Sequence, residues 1–262
     1  MKKDENILIA AAVDDEIALL IKYFQRPREG RIGGRKIVYG KIAGNEVAAL
    51  VTGPGLVNCV QSLTCAVETV KPVMIIQTGC AGAFRQSGLG VGDIGIADHE
   101  TDVYLGLEPS DPQQAADRSC LQLVNELPFP IMIKGGMAYK NHYPSDMDLV
   151  NWAFELIGNS FGESVNIKKG PFITVSTITA TDQRADLLYY LFKPCMESME
   201  GSAAAHLCLY YDLAFLQIRG ASNLVGNRNR NDWLISQACD RVCRAVYEII
   251  NNFHPHISEK SK

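Results

Sequence analysis

Two acidic segments of this chain have the residue types that a hydrolytic site needs. The carboxylates Asp14, Asp15 and Glu16 follow a short apolar run, and Glu200 lies beside a stretch of small residues, Gly201–Ala205. A carboxylate can act as a general base, and it can also accept hydrogen bonds from both hydroxyls of a sugar diol. The simpler alternative is that these acids cap helices, because carboxylates in a first helical turn complement the helix dipole. Both interpretations stay open on these residues alone.

Two further segments place glycine or amide groups directly after apolar runs. The segment Thr78–Ala83 (TGCAGA) follows Val73–Gln77 and lets backbone approach a ligand closely, although a tight turn would need the same glycines. Ser222 and Asn223 follow the run Leu213–Arg219, and the amide of Asn223 offers both an N–H donor and an oxygen acceptor.

These segments belong to an alternating pattern of strands and helices. The runs Ile7–Val13, Val73–Gln77 and Leu213–Arg219 are apolar throughout and suit strands covered by helices on both faces. Residues 36–51 predict a β-hairpin with its turn at Ala43–Asn45. Helices are predicted over Asp14–Tyr23, Leu56–Val70, Asp146–Ile157, Asp182–Leu191, Met199–Tyr211 and Asn231–Phe253. We therefore expect an α/β fold, a three-layer α/β/α sandwich around a mixed β-sheet, with the ligand at the carboxyl ends of the strands.

Length and composition favour one globular domain, which we assign to residues 1–256, with 257–262 as a disordered tail. No apolar run approaches the roughly 20 residues of a membrane span, and acidic residues on both sides of Ile7–Val13 argue against a signal peptide. Eight cysteines without a Cys-x-x-Cys pair indicate reduced thiols in the cytoplasm rather than a zinc site or disulfides. A net charge of -4 with dispersed lysine and arginine offers no patch for nucleic acid.

Together these segments resemble the nucleoside phosphorylase/nucleosidase superfamily in order and spacing over nearly the whole chain. The motifs that carry the resemblance are AVDDE at Ala12–Glu16, similar to the first strand of methylthioadenosine/S-adenosylhomocysteine nucleosidases, TGCAG at Thr78–Gly82, GDI at Gly92–Ile94 and MEG at Met199–Gly201. The resemblance implies that Glu16 is the general base and that Met199 and Glu200 bind ribose. It implies that Thr78, Gly79 and Cys80 form the turn beside the nucleophile and the ribose. It also implies a homo-oligomer, with a dimer favoured, and catalysis without cofactor or metal.

Two departures from the family's patterns narrow the expected reaction. Adenine-specific nucleosidases have Ser-Asp where this chain has Ser222-Asn223. An asparagine donates to a 6-oxo group and accepts from a protonated N7, so Asn223 indicates hypoxanthine or guanine. The phosphorylases have Arg-x-Gly-Ser/Thr around phosphate where this chain has QTGC at Gln77–Cys80. Without that guanidinium fork, water becomes the expected nucleophile, with Glu16 as its base and Asn223 stabilising the protonated purine.

Shorter motifs resemble the futalosine hydrolases, nucleosidases of menaquinone biosynthesis that release hypoxanthine. These motifs are Glu100 with LGLE at Leu105–Glu108, TVSTIT at Thr174–Thr179, and Ser222-Asn223 followed by NRNR at Asn227–Arg230 and by Trp233. By this resemblance Thr177 and Ile178 line the base pocket. Arg228 and Arg230 lie five and seven residues beyond Asn223, in a loop short enough to return over the cleft, so we expect them to contact the 5′ carboxylate of futalosine. Loop arginines on the surface or against a partner subunit would have the same pattern. The alternatives are a methylthioadenosine/S-adenosylhomocysteine nucleosidase, a 6-oxopurine phosphorylase and a catalytically silent nucleoside-binding module.

Overall fold

The computed structural model describes residues 6–107, 126–226 and 229–253, and of Arg230 it describes only the backbone. The predicted tail, residues 257–262, and the predicted ligand contact Arg228 lie outside the described residues, so both stay predictions. In the described part of the chain, no helix is both long enough and apolar enough to cross a membrane.

The described residues form one large mixed sheet, a separate hairpin and six α-helices. The strands are β1 (Ile7–Ala11), β2 (Gln25–Ile32), β3 (Arg35–Ile42), β4 (Asn45–Val51), β5 (Met74–Gln77), β6 (Cys80–Ala83), β7 (Ile94–Asp102), β8 (Met132–Lys134), β9 (Met137–Tyr139), β10 (His142–Pro144), β11 (Ile167–Thr174), β12 (Met196–Ser198) and β13 (Ala214–Leu224). The helices are α1 (Ala18–Lys22), α2 (Leu56–Val70), α3 (Met147–Phe161), α4 (Asp182–Phe192), α5 (Gly201–Tyr211) and α6 (Ile235–Asn251). Eleven strands pair in the order β10-β7-β11-β12-β6-β13-β5-β1-β4-β3-β2, and β8 pairs with β9.

The central strand β1 explains why the predicted core strands are apolar on both faces. Ile7 and Ile9 pack into the hydrophobic cluster that contains buried residues of α3 and α6. Leu8 and Ala10, which point the other way, pack into the cluster that contains buried residues of α2 and α5. The sheet therefore has a helical layer on each face, as the sequence predicts.

Strand β13 changes partners along its length and closes part of the sheet into a ring. Residues 214–217 pair with β5, residues 218–220 with β7 and residues 220–224 with β6. Because β7, β11, β12 and β6 are already neighbours, the pairing of β13 with both β7 and β6 joins five strands in a closed circuit. Strands β5 and β6 are separated only by Thr78 and Gly79, where the backbone turns with a φ of +130° at Gly79.

The structure corrects several predicted element boundaries at the edge of the sheet where the ligand is expected. Asp14–Tyr23 is not one helix, because Asp14–Glu16 form a 3-10 turn before α1. Two predicted helices begin later than expected, at Gly201 and at Ile235. Strand β13 continues past Arg219 to Leu224, since its later residues have β6 as a partner that the sequence pattern does not reveal. Ser222 and Asn223 therefore lie inside a strand and not after it.

Candidate active site

The carboxylate of Glu16 is buried at the end of β1 and is held by three backbone amides. Its Oε2 accepts from the amides of Ala12 at 2.8 Å and Val13 at 3.2 Å, and its Oε1 accepts from the amide of Cys80 at 3.0 Å. The acid thus satisfies amides of its own turn, as the capping alternative expects, but it also bridges to a distant strand. A carboxylate accepts about four hydrogen bonds, and the fourth donor is the weakly donating Cys80 thiol at 3.5 Å, which a water molecule can replace.

Gly79 is a glycine because Glu16 approaches its backbone closely. A Cβ atom at this position would lie 2.4 Å from Oε1 of Glu16. The neighbouring Thr78 is fully buried, and its amide donates to the carbonyl of Ala10 at 2.8 Å. Since the Cys80 amide already donates to Glu16, the glycine-rich turn holds the protein's own carboxylate. Of the two interpretations of this segment, a tight turn describes its geometry better than an open cradle for an external anion.

Glu200 occupies the N-cap position of α5, but its side chain makes no capping hydrogen bond there. Its Oε1 accepts from the amide of Gly55 at 2.8 Å, and its Oε2 lies 3.3 Å from Nη2 of Arg219. The other terminal nitrogen of Arg219, Nη1, lies 3.4 Å from the carbonyl oxygen of Cys80. The capping interpretation of the Glu200 carboxylate is therefore wrong, and Arg219 links this acid to the turn that contacts Glu16.

Sequence reasoning missed Arg219 as a site residue and treated it only as the end of an apolar run. The side chain is 1% exposed. Burial lowers the pKa of its guanidinium, but the carboxylates of Glu200 and Glu16 outweigh this effect, so the pKa lies above its usual value. The signal was present, since an arginine at the end of a buried strand is expensive to desolvate unless carboxylates face it.

Asn223 is half-buried near the end of β13, with its amide oriented by neighbours. Its Oδ1 accepts from the hydroxyl of Ser222 at 2.9 Å, and its Nδ2 donates to the carbonyl of Leu224 at 3.0 Å. An amide has a second N–H and a second lone pair, so each end of Asn223 keeps one hydrogen-bonding position. Gly82 leaves the space beside it, since a Cβ there would lie 3.3 Å from Nδ2 of Asn223.

Thr177 and Ile178 are exposed in the loop that follows β11. The loop is fixed on both sides of them: the carbonyl of Thr177 accepts from Nη2 of Arg184 at 3.0 Å, and Thr179 donates its amide at 3.0 Å and its hydroxyl to the buried carboxylate of Glu197. Farther along, a Cβ at Gly226 would lie 2.3 Å from Oδ1 of Asp182, so the start of α4 lies against the segment after Asn223. The loop thus has a defined position at this edge of the sheet.

Two other predicted contacts are placed less fully. Met199 is half-buried between β12 and α5, adjacent to Glu200 in the chain. The backbone of Arg230 begins a 3-10 turn, Arg230–Asp232, and the amide of Leu234 then donates to the carbonyl of Ser222 at 2.9 Å. The chain that leaves β13 therefore returns to it beside Asn223. Within the described ranges, no group of three or more His, Cys, Asp or Glu side chains is arranged to hold a metal ion.

Comparisons with known proteins agree with this architecture. A model of the phosphorylase superfamily matches residues 6–252. The 5′-methylthioadenosine/S-adenosylhomocysteine nucleosidase of Bacillus thuringiensis (strain Al Hakam) is 25% identical over 241 residues, which cover 86% of this chain and 88% of the relative.

Two solved structures share the fold. The 5′-methylthioadenosine/S-adenosylhomocysteine nucleosidase of Neisseria meningitidis, in complex with methylthio-immucillin-A, superposes with a TM-score of 0.78 at 19% identity, covering 95% of this chain and 100% of that one. Futalosine hydrolase of Helicobacter pylori strain 26695 superposes with a TM-score of 0.80 at 16% identity, covering 95% and 99%. The comparisons confirm the predicted family and fold, and the matched proteins are two nucleosidases and a hydrolase, the enzyme class predicted for this chain.

Proposed function

The chain belongs to the phosphorylase superfamily, and we propose that within this family it is a nucleosidase that cleaves the N-glycosidic bond of a purine nucleoside with water. The observation that carries the proposal is the pair of buried carboxylates, Glu16 and Glu200, which are 4% exposed and are joined through Cys80 and Arg219. Burying two acids is unfavourable unless they are paired or used. The two acids together favour an enzyme over a catalytically silent binding module.

The proposed reaction proceeds through a ribosyl cation. As the C1′–N9 bond loosens, Glu16 accepts a proton from a water molecule that attacks C1′ on the face opposite the purine. Glu200 accepts hydrogen bonds from the ribose diol, and its charge and that of Glu16 stabilise the developing cation. The purine takes a proton at N7 from solvent water, Asn223 stabilises this protonated form, and Glu16 later returns its own proton to solvent. Because the leaving group is protonated on its own ring, the second carboxylic acid of ordinary glycosidases is not required.

Water is favoured over phosphate as the nucleophile by the charges around Glu16. The buried guanidinium of this site, Arg219, is already paired with Glu200 at 3.3 Å. A phosphate ion would therefore meet two carboxylates before it met an unpaired cation. Hydrolysis agrees with this arrangement better than phosphorolysis does.

We propose futalosine as the substrate, cleaved to hypoxanthine and dehypoxanthine futalosine in the cytoplasm during menaquinone biosynthesis. The support is Asn223, whose remaining N–H can donate to a 6-oxo group and whose remaining lone pair can accept from N7–H. In this proposal Thr177 and Ile178 line the base pocket, and Arg228 and Arg230 meet the 5′ carboxylate. The second candidate is methylthioadenosine/S-adenosylhomocysteine nucleosidase, which the 25% identical relative favours.

One experiment separates these candidates. The pure protein is incubated with futalosine, inosine and methylthioadenosine, with and without phosphate, in water enriched in ¹⁸O, and both products are identified by mass spectrometry. We expect hypoxanthine from futalosine without phosphate, and one ¹⁸O atom in the sugar product. Preferential release of adenine from methylthioadenosine would establish the second candidate. Cleavage only when phosphate is present, with a sugar phosphate as the product, would exclude hydrolysis.

A further inference from the structure

Glu100 is a fully buried acid that the proposed reaction does not use. It lies in β7 with 1% of its surface exposed, directly beneath the start of α5. A Cβ atom at Gly201 would lie 2.3 Å from Oε2 of Glu100 and 2.7 Å from Oε1 of Gln217. The acid therefore contacts the backbone of the residue that follows Glu200.

A threonine connects Glu100 to the first turn of α5. The hydroxyl of Thr174 donates to Oε1 of Glu100 at 2.7 Å and accepts from the amide of Ser202 at 2.8 Å. A hydroxyl has one proton, so donation to Glu100 directs a lone pair of Thr174 towards Ser202. The Ser202 amide is one of the first-turn N–H groups that have no partner inside a helix, and the Glu200 side chain does not cap it. Thr174 provides that missing partner.

We propose that Glu100 is a positioning residue for ribose recognition: through the Thr174 hydroxyl and the Ser202 amide it fixes the first turn of α5, and with it the direction of Glu200. The inference rests on the proposed role of Glu200 as the acceptor of the ribose diol. Glu100 itself touches no substrate in this arrangement.

The protonation state of Glu100 suits this role. Burial raises the pKa of its carboxyl to about 8, against the opposing effects of the Thr174 and Gln217 side chains and the Arg219 charge. A neutral acid does not compete with Glu200 for Arg219. The Gln217 side chain lies beside Oε2 of Glu100, so a neutral Glu100 can donate its proton to the amide oxygen of Gln217. Glu100 and Glu200 thus both lie near Arg219, but only Glu200 forms an ion pair with it.

Double-variant cycles test the proposal by binding, so that turnover is not required. Dissociation constants for inosine and 2′-deoxyinosine are measured by calorimetry in a Glu16→Gln background, with and without Thr174→Val and Glu200→Ala. We expect Thr174→Val to weaken inosine binding by about tenfold, the effect of one misdirected hydrogen bond. It should weaken 2′-deoxyinosine binding by less than about threefold, and it should have no further effect once Glu200→Ala is present.

Matched variants separate positioning from general destabilisation. Glu100→Gln keeps an acceptor for Thr174 and a donor for Gln217 and should retain inosine binding, whereas Glu100→Met should resemble Thr174→Val. Thr101→Val makes the same chemical change as Thr174→Val, on the same strand as Glu100 but at a side chain that faces His142. It should alter the binding of neither inosine nor 2′-deoxyinosine. Equal losses on both nucleosides, or additive losses with Glu200→Ala, would overturn the inference.

Failure of the proposed function would look different. If the wild-type protein bound and hydrolysed no purine nucleoside, the function would fall, and hydrogen exchange would decide the structural link. In that case, unchanged exchange at the Ser202 amide in Thr174→Val and Glu100→Met would overturn the link between Glu100 and α5 as well, and faster exchange in both would support that link alone, without a role in ribose recognition.

Discussion

At the scale of single residues, backbone amides hold the side chain of Glu16 in place. A substitution by glutamine keeps the shape of this side chain and removes its basicity. We predict that Glu16→Gln folds and binds nucleoside but loses about 10²- to 10⁴-fold in kcat, because an amide cannot accept a proton from water. The side-chain nitrogen introduced by Glu16→Gln will face one of the backbone N–H donors that bind the carboxylate. This unfavourable contact should lower the free energy of unfolding by about 1–3 kcal/mol. The measurements are steady-state kcat and ligand dissociation constants. A variant that retained more than about a tenth of wild-type kcat would show that Glu16 is not the base.

Asn223 should determine which purine is accepted. We predict that Asn223→Asp shifts preference from 6-oxo towards 6-amino purines, because a carboxylate accepts from an amino group and repels an oxo group. The measurement is the ratio of kcat/KM for inosine to that for adenosine. Asn223→Ala, which removes both interactions, should slow both substrates without reversing the ratio. An unchanged ratio in Asn223→Asp would place the reading of the purine edge elsewhere.

At the scale of elements, the bend between β5 and β6 requires a positive φ at Gly79 and no side chain projecting from it towards Glu16. We predict that Gly79→Ala abolishes turnover and lowers Tm, because the new Cβ would lie 2.4 Å from the Glu16 carboxylate. Gly44→Ala is the control, since Gly44 also has a positive φ, +87°, but nothing lies within 4 Å of its would-be Cβ. Both variants should show the backbone strain of about 1 kcal/mol, and only Gly79→Ala should lose activity. Equal kcat/KM in the two variants would contradict this assignment.

The sequence predicts those elements whose residues follow a single hydrophobic pattern along their whole length. β1 is apolar on both faces, and β3 and β4 form the expected hairpin with its turn at Ala43–Gly44. The amphipathic and apolar helices were located to within a few residues. Strand β2 and the strands from β6 to β12 were not predicted. The short ones among them, such as Cys80–Ala83 and Met196–Ser198, are stabilised by neighbours distant in sequence.

The same distinction, between local sequence patterns and contacts distant in sequence, separates the site residues that were predicted from those that were missed. Glu16, Gly79, Cys80 and Glu200 lie in local motifs, and the structure brings them together. The contribution of Arg219 depends on β13 leaving β5 for β7 at that point, and the contribution of Glu100 depends on a glycine in α5 above it. The residues next to Arg219 and Glu100 in the sequence do not reveal either arrangement. Buried charges inside apolar strands were the available clue to both.

At the scale of the whole molecule, Glu100 should make stability fall as pH rises. Its pKa changes from 4.5 to about 8 on folding. Between these values the unfolded chain releases a proton that the folded chain keeps, so stability decreases with pH by at most about 1.4 kcal/mol per unit. Asp102 strengthens this effect and Arg219 weakens it.

We predict that Glu100→Gln, which cannot ionise, gains unfolding free energy relative to the wild type between about pH 5 and about pH 8. Urea titrations across this range measure it. Glu100→Met also lacks the ionisable group, so it should have the same pH slope as Glu100→Gln with lower overall stability. Parallel curves for wild type and Glu100→Gln would mean that Glu100 is charged in the folded protein.

The closure of the ring by β13 also orders events during synthesis. Gly220 pairs with Cys80, and Ile218 with Ile96, so these contacts form only after long stretches of intervening chain have been made. While residues 214–224 are still inside the ribosome, neither Arg219, which pairs with Glu200, nor Asn223 is in place. A nascent chain should therefore gain the ability to recognise a nucleoside in one late step, when a single strand joins three neighbours at once.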